Sequence, residues 1–191
     1  MNRRTAPRLL VALALSVSLA ACGGDDGSTP AQSSQQPTAG PTASDPTTQA
    51  CETQPATAEA PAEVSTDLAV APSVPGSDAP PPCDLVIRDV VVGTGATAVA
   101  GSAVQLKYVG AFYETGEEFD SSWSRGTDET LPVTVGAGRV IEGFDQAIDG
   151  MAVGGRRMVT IPSDLGYGPA GQGPIPGGAT LVFVLDLVSV S

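Results

Sequence analysis

Residues 116–126 read "GEEFDSSWSRG" and hold two glutamates, Asp120, three serines, Arg125 and the single tryptophan of the chain. Carboxylates and hydroxyls at such density suggest a catalytic group. The chain contains no histidine. That excludes a Ser-His-Asp triad, a Cys-His pair and any histidine-ligated metal. It also removes the side chain that ordinarily titrates near neutral pH. Carboxylates, Tyr, Lys, Cys, or a site working by shape and polarity are what remain. Asp120 is read as a hydrogen-bond acceptor at a pocket, or as the cap of a local Asp-Ser-Ser turn.

A second chemical candidate is Tyr167 in "GYGPAG", residues 166–171. The string matches the dinucleotide pattern G-x-G-x-x-G, which requires a helix to open at once beneath a pyrophosphate. Pro169, Gly173, Pro174 and Pro176 prevent that helix. Tyr167 is instead a phenol at a pocket rim that can donate to a ligand carbonyl, or a surface ring packed on its own loop.

The elements that must position these residues lie after Asp84, where all the aromatic residues occur. "DLVIRDVVVG" (84–93), "VQLKYVG" (104–110), "LPVTVG" (131–136), "RRMVTI" (156–161) and "TLVFVLDLVSV" (180–190) read as strands, by β-branched content or period-2 alternation. The last is nearly continuously apolar, as a strand covered on both faces would be. Ile141, Phe144, Ile148 and Met151 recur at helical spacing, and Gly150 supplies a stop. About five strands with one short helix, not separated by repeated helices, predict an α+β fold with an antiparallel sheet.

Upstream, Arg3, Arg4 and Arg8 precede the apolar run "LLVALALSVSLAA", residues 9–21. The run is shorter than the roughly 20 residues a spanning helix needs and fits a secretory signal. "LAAC" (19–22) resembles the bacterial lipobox. Residues 1–21 are therefore expected to be a lipoprotein signal peptide, with Cys22 the acylated anchor, palmitate among its chains. Residues 22–83, rich in Pro, Ala, Thr and Ser without an aromatic side chain, are predicted to be a disordered tether. Cys51 and Cys83 either bridge or stand as two free thiols. The formal net charge of −12 disfavours nucleic acid, whose binding rests on clustered cations.

Taken together, "LKYVG" (106–110), "GEEFDSS" (116–122), "VIEGFDQAIDGMAVGGRR" (140–157) and "LGYGPAGQGPIPGGATLVFVLDL" (165–187) resemble, in order and spacing, the FKBP-type peptidyl-prolyl cis-trans isomerase domain. The resemblance spans residues 84–191. It implies a sheet wrapped around one helix, with a pocket between them lined by Tyr108, Phe119, Asp120, Val140, Ile141, Phe144, Tyr167 and Phe183. It places Leu131 and Ile175 at the rim and Arg125 as the partner of Asp120. Phe144 stands where the family commonly has Trp. The implied function is isomerisation of X–Pro bonds in extracytoplasmic proteins, with no cofactor and no metal. The implied ligands are proline-containing polypeptides and macrolides, and the expected state is a monomer at the outer face of the cell membrane. The alternatives are a binding or chaperone module of the same fold with little turnover, and a passive surface lipoprotein.

Overall fold

The nearly continuous apolar run near the C-terminus becomes the centre of the sheet. In a computed structural model, which describes residues 51–57 and 59–191, this run forms a strand from Leu181 to Val190 whose first seven residues are all buried. The strands in chain order are β1 (Val86–Val91), β2 (Ala103–Phe112), β3 (Glu118–Ser121), β4 (Leu131–Thr134), β5 (Arg156–Ile161) and β6 (Leu181–Val190), with one helix, α1 (Glu142–Ile148), between β4 and β5. Every strand pairing is antiparallel, in the order β1-β5-β6-β2-β3, and β4 also pairs with β2.

The sheet has six strands rather than about five. The strand that the sequence reading did not count is β3, within the very stretch that looked catalytic. It is four residues long and carries two carboxylates, too short and too polar for a period-2 signal. Both β3 and β4 lie along one side of β2: β4 opposite Ala103–Leu106, β3 opposite Val109–Ala111. Residues 122–130 bulge out between them. That division of one long strand between two short partners delivers Asp120 and Leu131 to the same end of the sheet.

Side-chain alternation gives the sheet two apolar faces. On the inner face, Val159, Ile161, Leu181, Phe183 and Leu185 pack with Phe144, Ala147 and Ile148 of α1 and with Met151 just beyond it. Gly143 lets the helix approach closely, since a Cβ there would meet Ile161 and Leu85 of the sheet side. Gly150, at φ +77°, turns the chain out of the helix.

The outer face carries Met158, Val182, Val184 and the Arg156–Asp186 pair. The tether expected over residues 22–83 is corrected here for its second half, because residues 51–83 lie on the folded unit as a strap. Val64 is buried against Tyr113, Met158, Val182 and Val184. The Ile87 N–H donates to the Ala56 carbonyl (2.8 Å), and the Ser77 N–H to Tyr113 (3.0 Å). Cys51 and Cys83 form a disulfide. Composition misled because a chain without aromatic residues can still be ordered by a surface that needs covering.

Arg156 shows how the strap is fastened. Its side chain is fully buried, and all five N–H groups have acceptors. Nε and Nη2 donate to the Asp186 carboxylate at 2.6 and 2.7 Å. The remaining N–H groups reach the carbonyls of Ser65 (2.7 Å), Asp67 (3.1 Å) and Val70 (3.0 Å). A buried charge is tolerated only when paired and hydrogen-bonded in this way. The leader and Cys22 lie outside the described residues.

Candidate active site

Between the inner face of the sheet and the N-terminal end of α1 lies a cavity of about 170 Å³. An apolar cavity of roughly 150 Å³ accepts a benzene ring, so this one has room for a ring of prolyl size. Its lining is Tyr108, Phe119, Asp120, Leu131, Arg139, Val140, Ile141, Phe144, Tyr167 and Phe183.

The aromatic walls come from four separate elements. Phe183 on β6 is their hub, with its ring centroid 5.2 Å from Phe144, 5.6 Å from Phe119 and 6.4 Å from Tyr108. The Phe144 and Phe119 contacts are edge-to-face, an arrangement favoured by the ring quadrupole. Gly110 makes this cluster possible. It faces Phe183 across one side of β2 and Asp120 across the other. A Cβ at Gly110 would sit 2.7 Å from Phe183 and 2.9 Å from Phe119, closer than side-chain atoms tolerate. The sequence reading passed over Gly110, although a lone glycine inside a strand is itself a sign of close approach.

Asp120 is held rather than free. The Tyr108 hydroxyl donates to its Oδ2 (2.6 Å), Arg125 Nη1 to its Oδ1 (2.7 Å) and the Ser121 N–H to Oδ1 (2.9 Å). Arg125 Nη2 also donates to the Tyr108 oxygen at 2.7 Å, and its guanidinium lies 5.5 Å from the Tyr108 ring centroid. Partial burial pushes the Asp120 carboxyl up, but the Tyr108 hydroxyl, the hydrogen bond and charge of Arg125 and the Ser121 N–H together hold it below the usual carboxylate range. Burial raises the Tyr108 phenol, helped by its hydrogen bond to Asp120. Burial also raises the Tyr167 phenol, with the Asp120 charge adding to it. The pocket and turn-cap readings of Asp120 are thus both realised, since it lines the cavity and also accepts the Ser121 N–H. Neither makes it a proton-transfer group at neutral pH.

The opposite wall is the segment 139–141 leading into α1. Asp145 fixes it from the helix by accepting the N–H groups of Gly136 (2.8 Å) and Gly138 (3.2 Å). Ile141 is the N-cap residue in extended conformation, and its N–H has no protein acceptor among the described residues. The Tyr167 hydroxyl likewise has no protein partner there. Tyr167 is carried by a Gly- and Pro-rich loop closed by Gly168 N–H to Ser163 (2.9 Å) and Gly178 N–H to Gly168 (3.0 Å). No helix follows "GYGPAG".

Nine of the eleven residues expected at the pocket line the cavity. Arg125 stands behind Asp120 as its ion-pair partner. Ile175, expected at the rim, is corrected: it is 7% exposed and packed into the inner core instead. The Gln172–Ile175 bridge turns the loop inward at that point. Arg139 was missed because it is an exposed cation in a loop, and only its place directly before Val140 and Ile141 could have flagged it.

Comparison with known proteins gives the class. The family model described as FKBP-type peptidyl-prolyl cis-trans isomerase matches residues 95–188. The chain is 52% identical over 118 residues to an FK506-binding protein of Streptomyces anulatus, covering 61% of this chain and 92% of that protein. It is 51% identical over 110 residues to a probable FK506-binding protein of Corynebacterium glutamicum, covering 58% and 90%. Among solved structures, AtFKBP13 aligns with a TM-score of 0.52 at 36% identity, covering 58% of this chain and 96% of that one. FkpA from Escherichia coli aligns with a TM-score of 0.51 at 32% identity, covering 62% and 52%. The chain belongs to the FKBP-type peptidyl-prolyl cis-trans isomerase family, and its activity is isomerisation of peptidyl-prolyl bonds.

Proposed function

We propose that this isomerase works outside the cytoplasm, anchored through an acylated Cys22, and that it twists X–Pro amides of proline-containing polypeptides within the Tyr108–Phe119–Phe144–Phe183 cavity. The reaction breaks no bond. Its barrier comes from amide resonance, about 18–20 kcal/mol for peptide bonds, and uncatalysed X–Pro exchange takes tens to hundreds of seconds or so. A planar amide is charge-separated. Twisting it quenches that polarity, and a dry aromatic cavity favours the twisted state over the planar one.

The polar groups left without protein partners are the ones a twisted amide needs. The Ile141 N–H and the Tyr167 hydroxyl are both placed to donate to substrate carbonyls. Asp120, locked by Tyr108 and Arg125, is an orienting acceptor. The observation that carries this reading is the convergence of four aromatic rings and two unpartnered donors on one cavity of prolyl size. Macrolides would occupy the same cavity, as the names of the FK506-binding relatives suggest for those proteins. The working unit is a monomer, its cavity built from one chain.

The location is supported by the charged and apolar leader, by "LAAC" at 19–22, and by the Cys51–Cys83 disulfide, a bond typical of oxidising compartments. Several acyl chains on Cys22 would anchor stably, since each buried methylene adds about 0.8 kcal/mol. The test is Cys22→Ser in the producing cell. Release from the membrane fraction, or loss of processing, is expected. An unchanged membrane fraction with unchanged mature mass would refute the anchor and leave the isomerase reading intact.

A further inference from the structure

Five of the basic side chains of residues 51–191 are engaged within the fold. Arg88 donates to Thr160 and Gln54, and Lys107 lies over the Trp123 ring. Arg125 pairs with Asp120, Arg156 with Asp186 and Arg157 with Asp89. Arg139 is the exception. It is exposed, and among the described residues it has no hydrogen bond, ion pair or aromatic partner. It lines the prolyl-sized cavity. It also lines an adjoining open groove of about 490 Å³ with Val140, Ile141, Gly166, Tyr167 and Gln172.

A prolyl ring in the cavity must pass its flanking residues out over such a surface. No carboxylate lines that groove. The one carboxylate that lines the cavity, Asp120, is already neutralised by Arg125. A guanidinium left free at this junction offers planar, paired donors that match a carboxylate. The rest of the chain is strongly acidic, at −12 overall, so the attraction is local, confined to about one Debye length of 8–10 Å at moderate salt.

We propose that Arg139 is a specificity-determining residue that favours proline segments with an acidic side chain adjacent to the prolyl residue. This rests on the reading of the cavity as the prolyl site. An exposed ion pair supports a preference of about 1.4- to fivefold in kcat/KM at low ionic strength.

The experiment uses the full chain and peptides identical except for Glu, Gln or Lys placed before the proline or, separately, after it. The quantity read is kcat/KM above the uncatalysed rate. At one of the two positions Glu should exceed Gln and Gln exceed Lys. Arg139→Gln should bring the Glu/Gln ratio to one, Arg139→Glu should invert it, Arg139→Lys should keep most of it, and high salt should flatten it in the parent. Equal rates for Glu and Gln at both positions in the parent, or a ratio unchanged in Arg139→Gln, would overturn the proposal while leaving the cavity reading standing. No catalysis of the Gln peptides by a folded parent would overturn both.

Discussion

The two faces of the sheet are covered in different ways. The inner face is closed by a regular helix and aromatic rings, and the closure is incomplete, leaving a hollow. The outer face is closed by an irregular strap, fastened by one arginine whose five donors are all used. The contrast separates stability from function within one sheet. Side chains that alternate along β6 serve opposite purposes: Phe183 faces the cavity, while Val182 and Val184 bind the strap.

The largest expected effect lies on the outer face. Arg156→Met would leave the Asp186 carboxylate buried without its partner and the Ser65, Asp67 and Val70 carbonyls without their donor. A loss of about 3–5 kcal/mol is expected, read as a lower urea midpoint. The fraction that stays folded should isomerise proline peptides with near-parental kcat/KM. Equal losses of stability and specific activity would break the separation between the faces.

A smaller and opposite signature belongs to the inner face. Tyr167→Phe removes one hydroxyl and keeps the ring, so a loss on the order of 0.5–1.5 kcal/mol in transition-state binding is expected, with the urea midpoint unmoved. A kcat/KM equal to the parent's would take Tyr167 out of the mechanism.

The smallest effect is an expected absence. Asp120 has a folded-state pKa below its unfolded value. Its contribution to stability is therefore fully present above the ordinary carboxylate value of about 3.9 and is lost as pH falls through the folded value. Tyr108 has a folded-state pKa above its unfolded value. Its contribution is present below about pH 10 and is lost as pH rises through the folded value. Neither transition touches the neutral range. kcat/KM for an uncharged proline peptide should be level between about pH 6 and 8, and a single sharp step near pH 7 would require a titrating group that the cavity lacks.

The inner face was legible in the sequence because its signals are local and periodic. Phe144 and Ile148 share a face of α1 with Ile141 at its N-cap, and Val104, Leu106 and Tyr108 alternate along β2, while the pocket positions follow from the resemblance of the four motifs to the family. The outer face was hidden for a physical reason. Its cover has no period, and its apolar anchors, Val64 and Val74, are scattered among Pro, Ala and Thr. The clue was indirect: seven consecutive buried positions at the start of β6 require a second cover, and residues 51–83 supply it. Arg156 and Arg157 are adjacent in sequence and alike in type. Only the pleat decides that the first is fully buried on Asp186 and the second, largely covered on the opposite face, reaches Asp89 and the carbonyls of Ala147 and Asp149 at the end of α1. Ile175 failed as a rim residue because the closure of a Gly- and Pro-rich loop is not encoded in spacing.

The central claim is that an aromatic cavity with fixed hydrogen-bond donors, and no proton transfer, isomerises the prolyl bond. Phe119 is the ring that tests it most cleanly, since it is only partly buried and borders the cavity from the edge strand β3. The measurement is kcat/KM of a Phe119→Ala chain on an uncharged proline peptide, with folding checked in the same sample by its urea midpoint. The expected result is a folded protein whose kcat/KM falls on the order of tenfold or more. A folded Phe119→Ala protein working at the parent's rate would contradict it.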